Sequence, residues 1–159
     1  MRFKAALLSV VVAMALPALI PTSSARSAPG QSQTQARKQV KVYFYHEPGE
    51  YIDLAPVTRY VSVASPARAA MAALLRGPTP AEQRRGFDGL ASADQFSLGS
   101  LKIKGGTARV NFVVSKTWAG FAGDTAPIRF KTAVELTLKQ FANVRRVIVT
   151  LNGDPDFAE

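Results

Sequence analysis

Residues 101–113 read Leu101-Lys102-Ile103-Lys104-Gly105-Gly106-Thr107-Ala108-Arg109-Val110-Asn111-Phe112-Val113. On either side of the two glycines, apolar and polar side chains alternate strictly. That period of two, carried by β-branched and aromatic residues, marks half-buried strands. A two-residue Gly-Gly connection supplies the positive φ angles that a tight hairpin turn requires. The stretch therefore predicts a β-hairpin with Leu101, Ile103, Ala108, Val110 and Phe112 facing a core. Lys102, Lys104, Arg109 and Asn111 face outward, because alternate residues of a strand share a side. Lys104 falls opposite Thr107 and Lys102 opposite Arg109. Two like charges set side by side strain such a pair mildly, and an anionic partner would relieve the repulsion.

Outward from the hairpin, both flanks carry helical periodicity. Upstream, Ser65-Pro66 offers a capping hydroxyl and a proline at the first helical position. Ala67, Ala70, Met71, Leu74 and Leu75 then recur with the spacing of one apolar helix face. Gly77-Pro78 ends that helix, and Thr79-Pro80-Ala81-Glu82 has the spacing of a capping box. Residues 86–99, rich in Gly, Ser, Ala and Asp, read as a loop. Downstream, Pro127 opens a second helix with Phe130, Ala133, Val134, Thr137, Leu138 and Phe141 on one stripe and Glu135 and Lys139 paired beside it. Val144 to Leu151 reads as a final strand.

Further upstream, Val40-Lys41-Val42-Tyr43-Phe44-Tyr45 alternates as a strand, Pro48-Gly49 turns the chain, and Leu54 to Val63 is extended. Pro56 cannot donate to a ladder and places this second strand at an edge. The order β-β-α-β-β-α-β, with two single-striped helices, predicts an α+β two-layer sandwich: two helices on one face of a mixed or antiparallel sheet.

The ends of the 159-residue chain read differently. Arg2 and Lys4 precede an apolar run from Ala5 to Leu16. Pro17 and Pro21 break its continuation, and Ser23 and Ala25 suit a signal-peptidase site. Residues 1–25 are thus expected to be a cleaved secretory leader. The run is too short and too broken for a spanning helix. Residues 26–39 hold no large apolar side chain and no acid, and read as a flexible linker. The domain is expected at 40–153, with a loose tail at 154–159. Cleavage leaves 18 basic against 11 acidic residues, a charge of +7. Outside the cytoplasm such a charge meets phospholipid headgroups and phosphate-rich wall polymers rather than nucleic acid. With no cysteine, the chain has no disulfide, no thiolate site and no lipid-modified N-terminal cysteine.

Several of these fragments resemble one family. Val42-Tyr43-Phe44, Leu54-Ala55-Pro56-Val57-Thr58-Arg59 and Ala72-Ala73-Leu74-Leu75-Arg76-Gly77-Pro78-Thr79 with Glu82 are similar to the GerMN domain of sporulation and spore-germination proteins. So are Gly105-x-Thr107-Ala108-x-Val110-x-Phe112 and Val147-x-Val149-x-Leu151-Asn152-Gly153. The likeness runs from Val40 to Gly153. It departs at 94–100, where the family has an Ile-Pro-x-Gly-Thr lead-in to the hairpin, and at Asn111, where many members carry Asp. The resemblance implies an extracytoplasmic domain similar in fold to the ring-building modules of secretion systems, with no catalytic residue set to carry over.

The residues themselves offer few alternatives. His46, the single histidine, stands near Glu47, Glu50 and Asp53, a set that reads more readily as a solvated turn than as a metal site or a triad. A wall hydrolase needs two carboxylates on one cleft, and Glu82, Asp88, Asp94 and Asp124 are the loop candidates. Trp118 and Phe121 sit in a glycine-rich segment, either plugging one end of the core or forming a binding surface. The expectation is a non-catalytic envelope module without cofactor or metal, using Lys102, Lys104, Arg109, Trp118 and Phe121. Its partner would be an envelope protein, an anionic wall or membrane polymer, or a further copy of the chain. A peptidoglycan hydrolase, or a regulator of one, is the alternative.

Overall fold

The computed structural model describes residues 36–47, 53–89 and 94–159. The expected leader, the linker as far as residue 35 and the Pro48-Gly49 turn lie outside these. Strands β1 (Arg37–His46) and β2 (Asp53–Ser62) pair antiparallel, and β3 (Phe87–Asp88) adds to the end of β1. Strands β4 (Phe96–Lys104) and β5 (Thr107–Val114) form the hairpin, and β6 (Arg146–Leu151) runs parallel to β5. The helices are α1 (Pro66–Arg76), the single turn α2 (Pro80–Gln83) and α3 (Ala126–Lys139). Among the described residues, no helix is long and apolar enough to cross a membrane.

The architecture is α+β, but it holds two three-stranded sheets, β2-β1-β3 and β4-β5-β6, where one was expected. The reason lies at the free edge of β1. Gln140 Oε1 accepts from Lys41 N at 2.8 Å, and Gln140 Nε2 donates to Lys41 O at 2.7 Å. Tyr43 N donates to Thr137 Oγ1 at 3.4 Å. The end of α3 thus satisfies the backbone groups that a continuing strand would use.

Both helix stripes are buried: Ala67, Ala70, Met71 and Leu74 from α1, and Phe130, Ala133, Val134, Thr137 and Leu138 from α3. They meet Val42 and Phe44 of β1, Val110 and Phe112 of β5 and Val149 of β6 in one core. The hairpin register is Lys104↔Thr107 and Lys102↔Arg109. Gly105 and Gly106 turn with φ of +58° and +78°.

Several boundaries differ from the sequence expectation, and strand β6, for one, starts at Arg146 rather than Val144. Strand β1 begins at Arg37 rather than Val40, because Arg37–Gln39 pair with Tyr60–Ser62 and exposed ladder positions need no apolar side chain. Part of the stretch read as loop is ordered: β3 lies there, and β4 starts at Phe96. A bulge between Leu98 and Ser100 shifts the register, so Phe96 and Leu98 face inward on one phase and Leu101 and Ile103 on the other. A Cβ on Gly99 would come within 2.8 Å of the Val113 side chain. Finally, the tail is not loose at Phe157, whose ring packs against Phe121 and Phe130.

Candidate functional site

The outer face of the β4-β5-β6 sheet carries a group of basic side chains. Lys102 and Lys104 on β4 and Arg109 on β5 are exposed there as expected. Residues two apart on a strand stand about 6.7 Å apart on one side. Parallel pairing brings in β6, with Arg146 beside Thr107 and Ile148 beside Arg109. Arg146 thereby joins the same face. Arg145 N and Arg146 N both donate to Gly106 O, at 2.8 and 3.0 Å. The Arg145 guanidinium lies where a side chain at position 106 would stand, 2.8 Å from a Cβ there. Glycine at 106 therefore serves both the turn and the close approach of a cation. None of the three strands contains an acid. Among the described residues, the ion pairs are Arg59–Glu82 and Glu135–Lys139, so these five cations are unpaired there. Alternation along the chain does not reveal Arg145 and Arg146, because it leaves open which strand β6 pairs with.

Trp118 and Phe121 are half-buried and do plug one end of the core. Trp118 meets Phe96 edge-on at 5.2 Å and Phe121 at 5.0 Å, and Phe121 tilts against Phe130 at 5.7 Å. Their other surfaces, with Tyr45, Asp88 and Gln95, line a cavity of about 430 Å³. Burial raises the Tyr45 hydroxyl above its usual range, with Asp88 adding to the rise and Arg129 opposing it.

Several of the other candidates are held by neighbouring groups of the fold. His46 stacks on Phe87 with centroids 4.3 Å apart, and its Nε2 faces the Arg85 carbonyl at 3.1 Å. A carbonyl only accepts, so that nitrogen carries a proton. Asp53 Oδ1 accepts from Leu54 N, and Glu50 lies outside the described residues. Among those residues no three potential ligands cluster as a metal site.

Glu82 is buried and holds two structures together. Its carboxylate takes both terminal nitrogens of Arg59 at 2.6 Å, and it closes the capping box on Thr79. Arg59 also lies over the Phe44 ring at 5.6 Å. The Arg59 hydrogen bonds hold the Glu82 carboxyl at about 2, against the rise that burial would cause. A group so acidic cannot serve as a proton donor near neutral pH.

Asn111 is likewise a brace. Its Oδ1 accepts from Thr150 Oγ1 at 2.7 Å and Gly153 N at 2.9 Å. A carboxylate oxygen would accept the same two bonds, so either residue fits the position.

Known proteins share this arrangement of elements. The Germane family, described as sporulation and spore germination, matches residues 41–157. The tandem GerMN domains of the sporulation protein GerM from Bacillus subtilis are similar in structure, with a TM-score of 0.57 at 23% identity over 80% of this chain. This chain spans 43% of that one. The first GerMN domain of the same protein gives a TM-score of 0.56 at 22% identity, over 74% of this chain and 85% of that one. At such identities these likenesses establish the fold. No curated protein matches the chain in sequence. The match across 41–157 places this chain in the sporulation and spore germination family of GerMN-type domains.

Proposed function

We propose that this is a non-catalytic, extracytoplasmic binding module that holds an anionic polymer of the cell envelope against the outer face of β4-β5-β6. The observation that carries the reading is the five-cation cluster around the Gly105–Gly106 turn, free of acids on its own strands and of ion pairs among the described residues. Five unpaired charges this close repel one another, and a chain of phosphates threaded across the face removes the repulsion. The leader-like N-terminus supports delivery to a compartment where such polymers are abundant. The hydrolase alternative gains nothing here, since Glu82 is committed to Arg59. A protein partner is the reading to adopt if the polymer fails.

The test is retention of the exported protein on purified teichoic-acid-containing wall and, separately, on vesicles of anionic phospholipid. The two arms distinguish wall phosphate from headgroup phosphate. Binding should weaken steadily as salt rises past about 0.15 M, where the screening length is near 8 Å. Salt-indifferent binding, or none in either arm, would remove the proposal. Intact mass of the exported protein should start at Arg26; a stable full-length membrane species would contradict the leader.

A further inference from the structure

A concave feature lies at the far end of the hairpin from the cations. Strand β4 runs from Lys104 at the turn back to Phe96, roughly 25 Å at strand rise. There Tyr45, Asp88, Gln95, Trp118 and Phe121 line the cavity of about 430 Å³. Its size falls within the roughly 300–1,000 Å³ usual for small-ligand sites. We propose that this cavity is a saccharide site, taking one neutral sugar ring against Trp118 and Phe121 with its hydroxyls directed to Asp88, Gln95 and Tyr45.

The chemistry of the lining selects this class. A sugar ring presents a C–H face and a hydroxyl edge, and the cavity offers aromatic surface beside polar groups in the same arrangement. Asp88 Oδ1 accepts from Gly89 N at 2.7 Å, and Oδ2 has no partner among the described residues. Tyr45 keeps its proton, because burial raises its hydroxyl by more than Arg129 lowers it. Its hydroxyl reaches only a long 3.5 Å contact with Ala126 O, so that donor is weakly engaged. Charge argues against an ionic ligand. Arg129 stands over the Tyr45 ring at 5.8 Å, where it would repel a cation, while Asp88 would repel an anion. A polyhydroxyl compound meets neither penalty.

This inference does not rest on the polyanion reading, and the two fail separately. Trp118 is the chain's single tryptophan, so its fluorescence reports on this cavity directly. Titration of the exported protein with soluble N-acetylglucosamine oligomers should give a saturable change in emission. Asp88→Asn and Gln95→Ala should each weaken binding about tenfold with the circular dichroism unchanged. Because Trp118 also packs on Phe96, Trp118→Phe serves for calorimetry and should bind several-fold more weakly. The triple variant Lys102→Ser, Lys104→Ser and Arg109→Ser should leave the titration unaltered. No saturable response, an equal response to tetramethylammonium chloride, or affinity untouched by both Asp88→Asn and Gln95→Ala would overturn the proposal.

Discussion

The two sheets treat their polar residues in opposite ways. In β2-β1-β3, the charge that points inward is answered: Arg59 meets Glu82, and the backbone edge of β1 meets Thr137 and Gln140. In β4-β5-β6, the inward face is wholly apolar and the outward face collects Lys102, Lys104, Arg109 and Arg146 with no acid among its strands. Polar groups satisfied inside a fold are architecture, since losing one partner strands the other. Polar groups left to solvent add little to stability and stay free for a ligand. The family match spans both sheets, and the proposed binding face falls on the second.

The largest effect should come where both sheets share one support. Leu138 on α3 is fully buried in the core that joins β1 to β6. Leu138→Ala should cost about 2–5 kcal/mol in denaturant unfolding. A cost below about 0.5 kcal/mol would show that the sheets do not lean on a common core.

Next in size is the brace. Glu82→Gln keeps the volume but leaves Arg59 without its counter-charge, and should cost about 2–3 kcal/mol. The pH dependence comes from the direction of the shift. The Glu82 carboxyl is held at about 2 in the folded state, below its value of 4.5 when unperturbed. The unfolded chain therefore binds the proton first as pH falls. The stabilisation is complete above about 4.5 and is lost progressively as pH drops towards 2. Glu82→Gln should flatten that part of the acid-unfolding curve. If wild type and variant share one acid profile, the brace contributes no stability and the contrast between the sheets fails.

The edge of β1 is a smaller test. Gln140→Ala removes two hydrogen bonds to Lys41 and a third to Thr137 O, and exposes Lys41 N and O to water, for a cost of about 1 kcal/mol. Faster amide exchange at Lys41 should accompany it. Unchanged exchange there would show that α3 does not stand in for a strand.

How far the sequence reveals this molecule depends on the range of the interaction. The Gly105–Gly106 hairpin is legible down to its register, because alternation and turn chemistry are local. Both helix stripes are legible for the same reason. The start of β4 is hidden, since the bulge at Gly99 breaks the alternation between Leu98 and Leu101. The second sheet is hidden because Gln140 reaches Lys41 across 99 positions, and no local pattern marks a helix side chain replacing a strand. Glu82 carries a visible capping box, but its partner 23 residues away does not show. For the site, Lys102, Lys104 and Arg109 come from alternation alone. Arg145 and Arg146 need the parallel pairing of β5 with β6, which only the fold supplies.

The smallest effect on stability should accompany the largest effect on binding. The triple change of Lys102, Lys104 and Arg109 to serine removes three exposed side chains that have no ion-pair partner among the described residues. It also removes the like-charge pair of Lys102 and Arg109, which face each other across the hairpin. Unfolding free energy should therefore stay within about 0.5 kcal/mol of wild type, with any change towards greater stability. Retention on anionic wall or vesicles should fall by most of its value. Adding serine at Arg145 and Arg146 should remove the remainder, because those two lie at the same turn. A triple variant that unfolds would make this face architectural, like the other sheet. One that folds and binds as wild type would make it an ordinary solvated surface, and the division of labour between the sheets would not hold.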